Sequence, residues 1–133
     1  MRYLFDTDTC IDLLRNEPAV TRRAAAVVPD DCAVSTVTTY ELMAGAARCR
    51  DPQREQGKVR LLVEALHEFP FQRAAAERAA AVRADLESRG LMIGAYDVLL
   101  AGQALADGLT LVTSNVSEFE RVRGLRVENW RAA

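Results

Sequence analysis

Apolar positions along this chain alternate between short continuous runs and helical spacing. Tyr3-Leu4-Phe5 is a short apolar run that stops at Asp6-Thr7-Asp8-Thr9. Such a run, bounded by polar residues able to cap a helix, predicts a buried strand that delivers Asp6 to a sheet edge. A first helix is predicted over Cys10 to Arg15, capped by Thr7 or Asp8. Pro18 suits the first turn of a second helix running to about Val28. Pro29-Asp30-Asp31 then reads as a turn and Cys32-Ala33-Val34-Ser35 as a second strand. From Thr36 the pattern is helical, with Val37, Tyr40, Met43 and Ala44 at compatible spacing, until Arg50-Asp51-Pro52 ends it. Gln53 to Leu66 carries Val59, Leu62, Val63 and Leu66 on one face, an amphipathic helix. Phe69-Pro70-Phe71 is a candidate third strand.

The second half continues the alternation. Gln72 to Arg89 is alanine-rich, contains no proline or glycine, and is closed by Gly90, a natural left-handed cap. Its small side chains suit close packing against a neighbour. Leu91 to Ala106 is a further helical stretch closing at Gly108, and Leu109-Thr110-Leu111-Val112 is a buried strand. Thr113-Ser114-Asn115 is a polar loop, Glu118 to Arg123 a turn of helix, and Leu125 to Glu128 a last short strand. Strands alternating with helices predict an α/β fold, a three-layer α/β/α sandwich around a mostly parallel sheet. A chain of 133 residues without repeat, low-complexity tract or linker is expected to be one domain over residues 1–133.

Composition narrows the classes. The hydrophobic fraction of 50% and charged fraction of 27% are those of a soluble globule, and there is no long apolar span. Met1 leads straight into the first strand without a charged leader and apolar signal region, so a cytoplasmic protein with no membrane association is expected. Cys10, Cys32 and Cys49 are odd in number and widely spaced, and His67 is the sole histidine. They fit neither a disulfide framework nor a structural zinc site, and are expected as reduced core or near-core thiols. A net charge of −2 argues against a broad basic face for duplex nucleic acid, while leaving a local basic rim open. Every basic side chain except Lys58 is arginine, which fits phosphate-directed forks and a biased nucleotide composition equally.

Three acids stand apart. Glu41 is the only charged residue between Cys32 and Ala47, and Asp97 the only one between Leu91 and Ala106. Each alone reads either as a solvent-facing point on a helix or as a functional group, and Asp6 either as a cap or as a ligand. Burying an ionised carboxylate without a partner is expensive, so such an acid is neutralised, paired or given a metal. Neither segment supplies an arginine one turn away. If the three converge, two carboxylates about 4 Å apart repel by roughly 4 kcal/mol at an effective dielectric of 20. A hard divalent cation removes that penalty, and all-oxygen ligation points to Mg²⁺, or Mn²⁺, rather than zinc. Such a site lowers the pKa of a bound water and neutralises charge developing on a phosphodiester during in-line attack, which is nuclease chemistry.

Four stretches carry a resemblance: Phe5-Asp6-Thr7-Asp8, Val37 to Gly45 around Glu41, Tyr96-Asp97-Val98-Leu99-Leu100-Ala101, and Leu111 to Phe119. Together, in this order and in a chain of this length, they resemble the PIN domain and, more closely, VapC-type toxins of bacterial toxin-antitoxin pairs. The resemblance implies a PIN-like fold and a Mg²⁺-dependent endoribonuclease held inactive by a cognate VapB-like antitoxin. It assigns Asp6 and Asp97 as metal-binding aspartates and Glu41 as the acid that completes the cluster and orients water. The fourth acidic position falls near Asn115, a departure from the common pattern, because an amide offers one neutral oxygen and no charge. Glu118 is the alternative for that position, and with Asn115 in place the number of cations, one or two, stays open. Thr113, Thr7 and Asp8 read both as caps and as polar residues that hold the acids in place.

The resemblance also implies an RNA substrate and a homodimer or toxin-antitoxin hetero-oligomer. The apolar faces of Ala19 to Val28 and Val59 to Leu66 are candidates for the groove that takes an antitoxin tail, or are ordinary core. Trp130 anchors either the last strand or a dimer contact. Two other readings compete. Asp6-Thr7-Asp8-Thr9 after an apolar strand also resembles the haloacid-dehalogenase-type phosphatases, with Asp6 as nucleophile and Asp8 as acid/base. That chemistry calls for a lysine and a later acidic pair at a strand end, whereas Lys58 lies in an amphipathic helix and no acid pair follows Leu109 to Val112. A degenerate PIN fold that only binds a partner is the non-enzymatic reading, motivated by Asn115.

Overall fold

The computed structural model describes residues 1–131. Its strands are β1 (Tyr3–Phe5), β2 (Cys32–Ser35), β3 (His67–Phe69), β4 (Thr110–Val112) and β5 (Val127–Glu128). Its α-helices are α1 (Thr7–Leu14), α2 (Pro18–Ala25), α3 (Thr36–Ala47), α4 (Pro52–Ala65), α5 (Arg73–Arg89), α6 (Ala95–Asp107) and α7 (Val116–Phe119). The strands form one sheet in the order β3-β2-β1-β4-β5, and every neighbouring pair is parallel. Because side chains alternate across a strand, Leu4, Ala33 and Leu111 pack against α5 and α6, while Tyr3, Phe5, Val34 and Val112 pack against the α1 to α4 layer. Burial on both faces explains the near-continuous apolar runs of β1 and β4, and the three layers are those the alternating pattern predicts.

Caps set most helix boundaries. Pro18 and Pro52 open α2 and α4, behind Glu17 and Asp51 whose carboxylates accept from the backbone N–H groups of Val20 and Arg54. Gly90 and Gly108 take the left-handed conformation, both at φ 66, and close α5 and α6.

Several boundaries differ from the sequence expectation. Helix α1 begins at Thr7 because Asp6 itself is the cap, its Oδ1 accepting from the Thr9 N–H at 2.8 Å, so neither Thr7 nor Asp8 caps it. Helix α2 stops at Ala25, short of Val28. The third strand is His67–Phe69 rather than 69–71, since Pro70 has no N–H to donate and Phe71 donates to Thr36 Oγ1 instead. After Gly90, residues 91–94 run outside any helix and α6 starts only at Ala95, with Gly94 as its cap. Helix α7 sits earlier than expected, capped at Asn115, and β5 is only two residues long. Cys49 is exposed, whereas Cys10 and Cys32 are in the core as expected.

Two packing features carry predictions. The small residues of α5 bury Ala75, Ala79, Val82 and Leu86, and α6 comes so close that a Cβ on Gly102 would lie 2.5 Å from the Ala79 backbone nitrogen. Backbone cannot yield as a side-chain tip can, so Gly102→Ala should destabilise by about 2 kcal/mol or more, read as a lower urea midpoint at unchanged slope. Trp130 is buried and sits edge-on to Tyr3 and Phe5, with centroids 5.1 Å from each. Its Nε1 donates to Glu128, and Arg131 forks onto the buried Asp12 at 2.6 and 2.7 Å, which fastens the chain's end to β1 and α1. This resolves the role of Trp130 as an anchor within the chain. Trp130→Ala should cost about 3–5 kcal/mol in the same unfolding measurement.

Candidate active site

The carboxyl ends of β1 and β4 are adjacent, and the chain leaves β1 toward β2 on the other side. That is a topological switch point, where loops diverge and open a crevice. Asp6 follows β1 directly. Its N–H donates to Val112 O at 3.1 Å, and its Oδ1 accepts from the Thr9 N–H at 2.8 Å, with the Thr113 side chain at the end of β4 close by. Thr113 Oγ1 accepts from the Asn115 N–H at 2.9 Å, which shapes the loop after β4.

Glu41 reaches the crevice from α3, a helix started by Ser35, whose Oγ accepts from the Val37 N–H. Thr7 Oγ1 donates to Glu41 Oε1 at 2.7 Å and approaches Thr38 Oγ1 at 3.3 Å, so Thr7 holds Glu41 rather than capping a helix. Asp97 lies in the first turn of α6, where the helix dipole favours a negative group. It folds back over Gly94: a Cβ there would meet Asp97 Oδ2 at 3.1 Å. Glu118, in α7, accepts from the Asn115 side-chain amide. Asp8 is exposed at the rim.

Electrostatics show that these acids belong to one neighbourhood. Burial pushes Asp6 up to about 6, against the pull of its hydrogen bonds to Thr113 and Thr9, with the charge of Asp8 adding to the rise. Asp97 rises to about 7, first from desolvation and then from the charges of Glu118, Asp6, Glu41 and Asp8. Its rise thus carries the repulsion of several neighbouring acids. Asp6, Glu41 and Asp97, far apart in sequence, are thus near enough for the charges of the first two to act on the third. Of the two residues at the fourth position, Glu118 acts on Asp97 as a charge, while the Asn115 amide is engaged by Glu118.

The donor set fits a hard divalent cation: oxygens only, with two carboxyls held toward neutrality by burial and like charge. His67 lies at the opposite edge of the sheet, beside Asp30. Cys10, one turn from Asp6, is fully buried, and burial raises its thiol, so no thiolate is on offer. The ring is nonetheless wide. Among the described residues no three acidic, histidine or cysteine side chains stand close enough to hold an ion as they are.

Beside the ring, a groove of about 520 Å³ runs between α1, α3 and α4. Its wall includes Ile11, Leu14 and Leu42, with Arg15, Arg48 and Lys58 at its rim. Lys58 pairs with Glu55 at 3.3 Å, while Arg15 and Arg48 make no ion pair among the described residues. The same groove is also lined by Asp8, Glu41 and Glu55, so its rim is of mixed charge, with Arg15 and Arg48 as its cationic points. The apolar faces expected to form a groove are instead mostly spent on the core: Val20, Val59 and Val63 are buried there, and only Val59 also lines this groove. Two residues escaped the sequence reading. Tyr40, expected on an apolar helix face, is 58% exposed and pairs with Tyr96. The available signal was that a tyrosine directly precedes both Glu41 and Asp97.

Fold and site together define an α/β protein centred on carboxylates at the switch point of a parallel sheet. A model of the PIN domain matches residues 3–125, and the chain belongs to that family. It is 35% identical over 130 residues to the tRNA(fMet)-specific endonuclease VapC of Shigella flexneri, covering 98% of both chains. It is 30% identical over 132 residues to ribonuclease VapC2 of Rickettsia felis, again covering 98% of each. Among solved structures it matches a DNA-bound VapBC complex from Salmonella typhimurium with a TM-score of 0.93 at 33% identity over 98% of each chain. A DNA-bound VapBC2 complex from Rickettsia felis gives 0.91 at 29% identity, covering 98% of this chain and 99% of the other.

Proposed function

We propose that this chain is the toxin of a toxin-antitoxin pair, a Mg²⁺-dependent endoribonuclease of the cytoplasm, with Mn²⁺ able to substitute. What supports the reading is that the charges of Glu118, Asp6 and Glu41, from separate parts of the chain, all act on Asp97, in a chain similar end to end to proteins named as ribonucleases. Asp6 and Asp97 are the residues to hold the cation, with Glu41 completing the set and Glu118 rather than Asn115 as the fourth acid. When bound, the cation supplies Lewis-acid stabilisation of charge on the phosphodiester and eases deprotonation of the attacking water. The chain's own residues do the rest. Thr7 orients Glu41, Thr113 and the Thr9 N–H orient Asp6, and the α6 dipole steadies Asp97 as it ionises.

The groove beside the ring is the seat proposed for a VapB-like antitoxin segment, its apolar side chains on Ile11, Leu14 and Leu42 and its acids on Arg15 and Arg48. Occupation there would lie against Glu41 and block the crevice. A module that binds but does not cut is the second reading, favoured by Asn115 at the fourth position and by the width of the ring.

One experiment separates them. Purified protein with Mg²⁺ is incubated with transfer RNA, the substrate named for the Shigella flexneri relative. Cleavage that stops on chelation and in Asp6→Asn supports the ribonuclease; intact RNA at all Mg²⁺ and Mn²⁺ concentrations supports the binding module. Toxicity on expression that is relieved by co-expressing a small neighbouring open reading frame tests the antitoxin half.

A further inference from the structure

Helices α3 and α6 belong to opposite faces of the sheet: α3 sends Leu42 and Ala46 into one core, and α6 sends Val98, Leu100, Ala101 and Ala104 into the other. Each carries one acid toward the end of the sheet, Glu41 from α3 and Asp97 from α6. The residue directly before each acid is a tyrosine, and these two tyrosines meet. The aromatic centroids of Tyr40 and Tyr96 are 5.7 Å apart with a 55° tilt, and Tyr96 Oη donates to Tyr40 Oη at 3.4 Å. The Tyr96 hydroxyl is raised above its ordinary range first by that bond and the charge of Tyr40, then by desolvation and the charge of Glu41, so the contact lies within reach of the acids. Core packing does not account for the pair. Neither tyrosine belongs to either core, and they stay 58% and 43% exposed. The pair is instead a side-chain link across the end of the sheet, from one helical layer to the other.

We infer that Tyr40 and Tyr96 are positioning residues, a clasp between the two layers that sets the span from Glu41 to Asp97 and thereby makes the site prefer Mg²⁺ to a larger cation. The inference rests on the cation site proposed above and adds which residues fix its size. Mg²⁺ takes oxygens at about 2.0–2.1 Å in a near-ideal octahedron, whereas Ca²⁺ accepts about 2.3–2.6 Å and irregular shells. A site for the smaller ion therefore weakens when its ligands stand a few tenths of an ångström too far apart, while a site for the larger ion adapts. Asp6 is fixed to the sheet end through its N–H and its bond from the Thr9 N–H. Glu41 and Asp97 arrive from helices on opposite faces, so the span between them depends on what joins those helices beyond the sheet edge. Two tilted aromatic groups in contact resist approach, and the bond between their hydroxyls resists separation. Stiff side chains with few rotatable bonds suit that task better than a pair of long flexible ones.

The test is calorimetric titration of full-length, chelator-treated protein with Mg²⁺ alone and with Ca²⁺ alone. Tyr40→Ala/Tyr96→Ala should weaken Mg²⁺ binding roughly tenfold and change Ca²⁺ binding by less than about threefold, so that the preference for Mg²⁺ falls. Either single alanine variant should lose about as much Mg²⁺ affinity as the double, because each tyrosine acts only through the other. Tyr40→Phe/Tyr96→Phe keeps the aromatic contact and should stay within about threefold of wild type. Wild-type Mg²⁺ affinity in the double alanine variant overturns the clasp, and so does an equal loss for both cations, which is what general loosening of the fold would give. Single-variant losses that add in full also overturn it, as does conversion of a dimer to a monomer, which would make the pair a contact between copies. Should wild-type protein bind neither cation, the cation site fails by itself, and amide hydrogen exchange over residues 98–101 still decides the clasp. Faster exchange there in the double alanine variant supports it, and unchanged exchange overturns it.

Discussion

Asp97→Asn should abolish RNA cleavage, by at least about 10³-fold, while making the metal-free protein more stable. Both effects have one cause. The carboxyl of Asp97 is raised to about 7 by desolvation and by Glu118, Asp6, Glu41 and Asp8. At neutral pH its ionised form is thus a repulsive element in the absence of a cation, and a neutral amide of the same shape removes that repulsion. Full conversion of the shift would exaggerate the gain, because Asp97 is partly exposed and solvent screens its neighbours, so about 2 kcal/mol is expected. For a chain of this size that corresponds to a melting temperature higher by about 6 °C in chelator at pH 7.5. The same amide removes an anionic ligand, and the loss of several kcal/mol of charge stabilisation is a loss of at least three decades in rate. A variant that cuts RNA normally, or is less stable than wild type in chelator, would contradict the account.

Stability in chelator should fall as pH rises from about 4 to about 7, and Mg²⁺ should restore it only at the upper end. Asp6 and Asp97 both have folded-state pKa values, about 6 and about 7, above the ordinary 3.8 of the unfolded chain. Between these limits the folded state binds more protons than the unfolded one, so their contribution is fully present below about 4 and is lost as pH rises through the folded values. The loss is about 3 kcal/mol for the buried Asp6 and about 2 for Asp97 after screening. Asp85 works in the opposite sense: the Arg89 hydrogen bond holds it below the usual range, so its contribution is present above about 4 and lost only on further acidification, outside this window. A cation competes with protons for the same oxygens and should raise the melting temperature at pH 7.5 and not at pH 4.5. Scanning calorimetry in EDTA and in Mg²⁺ across this range measures both arms. Stability that is flat from pH 4 to 7, or equal Mg²⁺ stabilisation at both ends, contradicts them.

Much of the fold was legible because apolar runs and caps are local signals. Leu109 to Val112 and Cys32 to Ser35 read as strands from composition alone, and Gly90 and Gly108 marked helix ends where a left-handed residue is needed. Boundaries slipped where a tertiary partner decides them. Phe69-Pro70-Phe71 looks extended throughout, but the edge strand lies two residues earlier, at His67–Phe69, paired with β2, and Thr36 takes the Phe71 N–H. Asp97 and Glu41 stood out because an isolated acid in an apolar segment is a local anomaly. That Thr7 holds Glu41, or that Tyr40 meets Tyr96, depends on contacts 34 and 56 residues apart in sequence, which no local pattern encodes.

The central claim is that Asp6, Glu41 and Asp97 hold one hard cation between them. Calorimetric titration of chelator-treated protein with Mn²⁺ at pH 7.5 tests it most directly. Wild type should bind with measurable affinity, Asp6→Asn and Asp97→Asn should each weaken binding by at least about tenfold, and Glu41→Gln should weaken it too. Binding of wild-type strength in both aspartate variants, or no binding by wild-type protein, would contradict the claim.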